Sequence, residues 1–332
     1  MIGSRVYVGG NFTKTTSDTT RNKLAAVDAA TGNLIKDWNP KLDAGSDVIN
    51  AIDVDGPTVY VGGSFSSIGN FSRDSRTNMN VAALDSVNGD PKKWNPDTFF
   101  RKPSVTNSLA PVNALVVRGP VLYVGGDFTA VGGTERNFLI ALDAKTGDLI
   151  KDWNPKISTS NSTDSLVHAL AVSGSTVYAG GRFATVNGLP RNSIVAIDSA
   201  SGLPLSTWNP NVQTGTGTGS GTVRTITING SAVYFGGNFN QVKGVKRTNA
   251  ASVTIADGNP VVLLDWNPEM TDGATTAFVN AIKVGGAMIL PAAISPGSVA
   301  SQAHPEPELE HCTAILRLWE KRRKIRFHAC LA

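Results

Sequence analysis

Cysteine is nearly missing from this chain. Of 332 residues only Cys312 and Cys330 are cysteines, and both lie in the last 42 positions. No disulfide and no cysteine metal site holds the first 290 residues. Charge is also scarce, at 17% of residues, and those 290 residues balance 24 basic against 22 acidic side chains. With no basic stripe, no nucleic-acid partner is expected. No apolar run reaches the ~20 residues that a transmembrane helix needs. No signal peptide is visible, because Met1-Ile-Gly-Ser-Arg leads directly into the first repeat. The Gly-rich run at Gln213–Thr222 lacks the Gly-Lys-Ser/Thr of a phosphate loop.

The tail differs from the rest. Residues 291–332 carry six Lys/Arg and four Glu. His311, Cys312, His328 and Cys330 are soft donors, but their spacing is unlike a paired-ligand knuckle, so no metal site is predicted. The basic run Arg317–Arg326 reads as part of a solvated helix over 308–328 or a disordered tail. Asn11, Asn70, Asn161 and Asn229 open glycosylation sequons, which read as turn chemistry in a chain rich in Asn, Ser and Thr.

What is abundant is glycine, with 34 copies, and repetition. "VYVGGNF" at Val6–Phe12 returns at Val59–Phe65, Leu122–Phe128, Val177–Phe183 and Val233–Phe239. Its tyrosines, Tyr7, Tyr60, Tyr123, Tyr178 and Tyr234, are 53, 63, 55 and 56 residues apart. "WNP" recurs in phase at Trp38, Trp94, Trp153, Trp208 and Trp266. Between them sits Asp-x-x-x-Gly, at Asp28, Asp85, Asp143 and Asp198. Such a period marks a repeat architecture.

Each unit reads as four short strands, rich in Val, Ile, Leu and Ala with little alternation, as in sheets covered on both faces. The sequence predicts an all-β chain: a β-propeller of about five four-stranded blades. The units fall near 5–40, 48–96, 112–155, 167–210 and 222–268, with a partial unit at 278–290. Residues 291–332 are expected outside the propeller, as a helical or disordered tail. The chain starts at the second strand of a unit, and 278–290 match the missing first strand. Val279–Val284 is therefore expected beside Arg5–Gly10, closing the ring and hiding two sheet edges. The rival is an open arc, cut from a longer protein.

The recurring residues have structural readings. The tyrosine alternates with flanking valines toward neighbouring sheets. Gly9-Gly10 and their equivalents permit a bulge or a close backbone approach. Phe12 and its equivalents plug the gap beyond the glycines, and the tryptophans wedge between blades. The Asp caps a turn. Arg21, Arg136, Arg191 and Arg247, just before the third strand, are expected to bond turn carbonyls or the repeat Asp. The sixth position of the heptad, Asn11, Ser64, Asp127, Arg182 and Asn238, is expected to face solvent. His168 sits where the previous unit has Asn113 and reads as structural.

Taken together, "YVGGxF", Arg-Asn before the third strand, Asp-x-x-x-Gly and WNP resemble the delta-60-repeat β-propeller family over residues 5–290. The resemblance implies a propeller in an extracellular or cell-surface setting and no particular reaction. The fifth unit departs at Ser252–Val262, which lacks the Asp-x-x-x-Gly spacing. The function expected is a non-enzymatic scaffold, with a protein or carbohydrate ligand on variable loops such as Asp97–Ala110, Lys156–Ser165 and Gln213–Thr222, which share one face. No catalytic, cofactor or metal residue is assigned. One alternative is an enzyme like the quinone-dependent dehydrogenases, whose repeats "ALDAKTG" resembles. In those repeats the Trp falls four residues after the Gly; here it falls six after Gly32, Gly147 and Gly202. The other alternative is a fragment of a larger cell-surface or cell-polarity protein.

Overall fold

The computed structural model describes residues 4–15, 20–42, 48–69, 80–94, 100–102, 108–158, 166–215, 219–255, 258–271, 278–285, 288–293 and 327–328. The second blade shows the unit. Val48–Asp55, Thr58–Ser64 and Val81–Asp85 form an antiparallel sheet in that order. The next three blades repeat it. They are Val112–Arg118, Val121–Gly126 and Leu139–Asp143; Leu166–Ser173, Thr176–Arg182 and Ile194–Asp198; and Thr222–Asn229, Ala232–Asn238 and Ala250–Thr254.

The first strand of each blade packs against the first strand of the next, from Val48–Asp55 through to Val279–Gly285. Sheets succeeding one another around their innermost strands are the arrangement of a β-propeller. The expected fourth strand is reduced to one bridge per blade: Val27 with Leu34, Leu84 with Pro91, Leu142 with Leu149, Ile197 with Pro204, and Val253 with Val262. Two of these five outer residues are prolines, which donate no ladder hydrogen bond. The chain then turns inward to bury its tryptophan instead of extending the ladder.

The expected closure is corrected by the pairing. Val279–Gly285 pairs with Met288–Ala293 in a hairpin of its own. Pro291 thus lies within a strand rather than interrupting one. In the first blade Arg5–Gly10 pairs with Leu24–Asp28 on one edge and with Phe327–His328 on the other. The place of the absent first strand is filled from the tail, two residues deep. Residues 308–326, expected helical, lie outside the described residues, and so do Cys312 and Cys330.

The glycine pair sets the spacing. A Cβ on Gly9, Gly62, Gly125, Gly180 or Gly236 would sit 2.5–2.6 Å from Ile49, Val112, Val167, Val223 or Val279, the residue just before the bulge in the next first strand. A Cβ on the second glycine, at Gly63, Gly126, Gly181 or Gly237, would strike a backbone carbonyl where its own blade's first strand begins. There the ladder slips by one residue, between Ile49 and Ala51 and at the matching places in the next three blades. The bulge and the glycine are one device.

A second set of sheets is not apparent in the repeat pattern. The segment after WNP runs to the next blade and pairs with the loop between its second and third strands. Phe100–Lys102 meets Ala130–Val131, Ile157–Ser158 meets Thr185–Val186, and Val212–Thr214 meets Gln241–Val242. Leu42 bridges Ile68 in the same way. Strands of two or three residues carry no readable period.

Gly180→Ala and Gly181→Ala separate the two roles. The first meets side chains that can shift, and about 1–3 kcal/mol of overpacking cost is expected. The second meets backbone, so a larger loss is expected in urea unfolding. Equal losses would show that the two glycines answer to one constraint.

Candidate functional site

The sequence-predicted residues converge between blades. In each blade the repeat tyrosine packs on the repeat tryptophan, with ring centroids 4.9 Å apart for Tyr7–Trp38, 5.8 Å for Tyr60–Trp94, 5.1 Å for Tyr123–Trp153, 5.3 Å for Tyr178–Trp208 and 5.1 Å for Tyr234–Trp266. In the first four blades a polar end of the pair reaches the next blade's outer turn. Trp38 Nε1 donates to the Asp85 carbonyl at 3.0 Å, and the Tyr7 hydroxyl donates to the adjacent Ser86 carbonyl at 2.7 Å. Trp153 and Trp208 donate likewise to Asp198 and Thr254, and Tyr60 and Tyr123 to Ala144 and Ser199. Burial pushes the Tyr7, Tyr60 and Tyr123 hydroxyls above the usual tyrosine value, so they stay protonated donors.

Trp38, Trp94, Trp153 and Trp208 are at most 2% exposed. Trp266 and Tyr234 are only half-buried, because among the described residues the following hairpin has two strands and no outer turn to receive them. Phe65, Phe128, Phe183 and Phe239 are buried. Phe128 packs on Phe100, which arrives from the preceding blade, with centroids 4.9 Å apart. Phe12 is half-buried, since no described segment arrives over the first blade. At the sixth heptad position Asn11, Ser64 and Arg182 are exposed, while Asp127 and Asn238 are half-buried.

The four arginines are structural. Arg21, Arg136, Arg191 and Arg247 are all below a tenth exposed. Each donates to the carbonyl of the residue before it and to the segment leading to its blade's tryptophan: Arg21 to Thr20 and Lys36, Arg136 to Glu135 and Lys151. Arg191 and Arg247 repeat the pattern. Carbonyls, not the repeat Asp, receive them. The Asp instead accepts from its own turn: Asp28 takes the amides of Ala30 and Thr31 and the Thr31 hydroxyl. The Thr31 and Thr146 amides and the Ser201 hydroxyl hold Asp28, Asp143 and Asp198 below the usual carboxylate value.

Two surfaces remain for function. The first lies along the innermost strands, where the bulged residue of each is polar: Asn50, Asn113, His168, Arg224 and Asn280. Asn50 donates to the Val112 carbonyl at 3.0 Å and Asn113 to the Val167 carbonyl at 3.4 Å. Arg224 lies over the Phe278 ring at 4.6 Å. The carboxylates on the described first strands are Asp53 and Asp55, both in one blade. Burial raises Asp53 above the usual carboxylate value, against bonds from the Val117 and Val54 amides. Among the described residues no three His, Cys, Asp or Glu side chains group as metal ligands.

The second surface is the loop end, carried on the small sheets. Hairpin tips there share one backbone. Gly132-Gly133, Asn187-Gly188 and Lys243-Gly244 all have both residues at positive φ, from 48° to 78°, the signature of a type I′ turn. The residues that follow differ: Thr134-Glu135, Leu189-Pro190 and Val245-Lys246. Asn187-Gly188 and the Thr134–Asn137 strand end line an open hollow of about 670 Å³, with Asn154 and Lys156 between them.

The comparisons bear on this geometry. The family model described as outer membrane protein assembly factor BamB matches residues 2–253. The chain belongs to the BamB family. That match overturns the delta-60-repeat resemblance. Both readings name a propeller, because Tyr-Gly-Gly and the wedging tryptophan are dictated by blade packing and follow the fold rather than one lineage. Among solved structures, the computationally designed Ika8 protein is 15% identical, over 88% of this chain and 78% of that one, with a TM-score of 0.47. The designed Ika4 protein is 16% identical, over 67% and 94%, at 0.35. BamB from Moraxella catarrhalis is 15% identical, over 74% of this chain and 56% of that chain, at 0.39. No curated protein matches the chain. No helix among the described residues is long and apolar enough to cross a membrane.

Two outcomes are expected. Trp153→Ala is expected to cost about 3–5 kcal/mol in chemical unfolding, and the half-buried Trp266 clearly less. Equal losses would mean the hydrogen bond to the next blade is immaterial. Asp28, Asp143 and Asp198 set an acid limit. Their folded values are lowered, so their stabilisation is complete above the unfolded value near ~3.9 and is lost as pH falls through the lower folded values. Melting temperature is expected to drop below about pH 4, with a shallower drop in Asp143→Asn.

Proposed function

We propose that this chain is a non-enzymatic docking propeller that holds a protein partner at its loop end, in the outer membrane assembly that its family's description names. The observation that carries this is the set of hairpin tips at Gly132-Gly133, Asn187-Gly188 and Lys243-Gly244. One backbone conformation is kept in three blades while the side chains after it change from Thr-Glu to Leu-Pro to Val-Lys. Fixed geometry with free chemistry is what a recognition surface needs, and rigid scaffolds carry recognition on such loops. The rest of the unit leaves little for catalysis. The recurring Asp, Arg, Tyr and Trp side chains spend their polar atoms on turns and on neighbouring blades.

The experiment is site-directed photo-crosslinking in native membranes. Crosslinkers replace Glu135, Leu189 and Lys246 at the loop end, and the exposed Val87 and Leu203 on the outer turns. One common protein partner captured from the three loop-end sites, and not from the two turn sites, is the expected result. Capture from the turn sites alone would overturn the assignment of the surface. Steady turnover of an alcohol by the purified chain supplied with a quinone cofactor and calcium would overturn the non-enzymatic half.

A further inference from the structure

The repeat supplies its own control, because each blade shows what a given position does in the others. The second blade breaks the pattern in three ways, all at one place. Its outer segment is one residue shorter. Trp94 follows Gly89 by five residues, whereas Trp38, Trp153 and Trp208 follow their glycines by six. The turn into the tryptophan tightens accordingly. The Trp94 amide donates to Lys92, two residues back, where Trp38 and Trp153 reach three back to Ile35 and Ile150.

The second break is lost pairing. Trp38, Trp153 and Trp208 donate Nε1 to the next blade's turn. Trp94 is 2% exposed and its Nε1 has no partner. The Tyr60–Trp94 rings are also the widest of the five pairs, at 5.8 Å. A buried donor left unpaired is costly, and it favours any acceptor that can reach it.

The third break is charge. Lys92 donates its amide to Ala83 as Ile35 does to Ala26, Ile150 to Ala141 and Leu205 to Ala196. Those three aliphatic side chains pack on the blade cores; here a half-buried lysine stands in their place. The residue before the tryptophan is Asp37, Asp152 and Asp265 in three blades, and Lys93 in this one. These changes surround a hollow of about 470 Å³ between the second and third blades, lined by Asp55, Tyr60, Lys92, Lys93 and Trp94 of the second and Lys145 of the third. Its lining thus holds three lysines and one carboxylate.

We propose that this hollow is a binding site for a small oxyanion of charge near −2, a dicarboxylate or a phosphate, held by Lys92, Lys93 and Lys145 with the Trp94 indole N–H as a fourth donor. The lysines supply charge-assisted hydrogen bonds. The indole supplies a donor that the other blades consume internally. Its nitrogen is sealed from solvent as the hollow stands, so engagement draws the wall outward, and tryptophan fluorescence reports it.

The test is calorimetric titration of the full chain with inorganic phosphate and with succinate at constant ionic strength, with chloride as reference. Saturable binding of one or both is expected, and the arm that binds names the source of the oxyanion. Lys93→Asp restores the residue of three other blades, and Lys92→Ile restores the aliphatic position; both keep the fold. Each is expected to weaken binding about tenfold, as loss of one charge-assisted contact does. Trp94→Phe keeps the ring and is expected to weaken binding and abolish the fluorescence response. Asp152→Lys adds a lysine beside a tryptophan whose N–H is already engaged, and is expected to create no second site. No heat beyond chloride in either arm, or undiminished binding in Lys92→Ile and Lys93→Asp, would overturn the proposal. A second site in Asp152→Lys would overturn the part given to the free indole.

Discussion

Blade-to-blade contact at the first glycine of each pair governs the rest of this molecule. Because Gly125 has no side chain, Val167 of the next blade can approach where a Cβ would stand 2.5 Å away. Only at that separation can a tyrosine and a tryptophan from one blade reach the outer turn of the next. The two aromatic groups then satisfy adjacent carbonyls there, as Trp38 and Tyr7 do at Asp85 and Ser86. Apolar area and polar satisfaction are thus delivered by the same two side chains. The coupling has a direction, since these aromatic groups of the first four blades donate to the successor. Stability in such an array is a sum of unit and nearest-neighbour terms.

That dependence explains where the buried arginines go. Arg136 ties the entry of the third strand to Lys151 on the approach to Trp153. It fixes the stretch that must deliver the indole to the neighbouring blade. A guanidinium can serve two carbonyls on separate segments, which a lysine's point charge cannot do with the same geometry. The third-strand entry is itself held in a left-handed conformation at Lys23, Asn80, Phe138, Ser193 and Asn249, with φ from 64° to 68°. None of these is glycine. The surrounding pairing imposes the conformation on whatever residue stands there.

What the sequence shows follows the range of each interaction. The Asp28 turn is a contact over three residues, and it is readable in Asp-x-x-x-Gly. The glycine pairs are readable because a bulge leaves its mark on the strand that contains it. The partners of Trp38 and Tyr7 lie 47 and 79 residues away, so the sequence names the wedge without naming what it touches. The loop-end sheets are invisible for another reason: strands of two or three residues have no alternation to detect. The expected pairing of Val279–Val284 with Arg5–Gly10 failed on a related point. Sequence similarity to a first strand identifies the type of strand, and edge pairing is decided by which segment is adjacent. The hairpin with Met288–Ala293 is local and needs no long loop closure.

A repeat protein hides its specific chemistry in the positions where the repeat is not kept. A residue found in every blade answers to packing, so its recurrence argues against a site. The departures have no such explanation. Ile35, Ile150 and Leu205 show that the position of Lys92 is satisfied by an aliphatic side chain against the blade core. Placing an ammonium there gives up apolar burial and requires the charge to find water or an anion. A single such replacement is ordinary drift on a surface. Here it coincides with a shortened turn, a buried indole without an acceptor and a reversed charge next to it. These departures meet at one hollow, and that convergence is the ground for the anion proposed there.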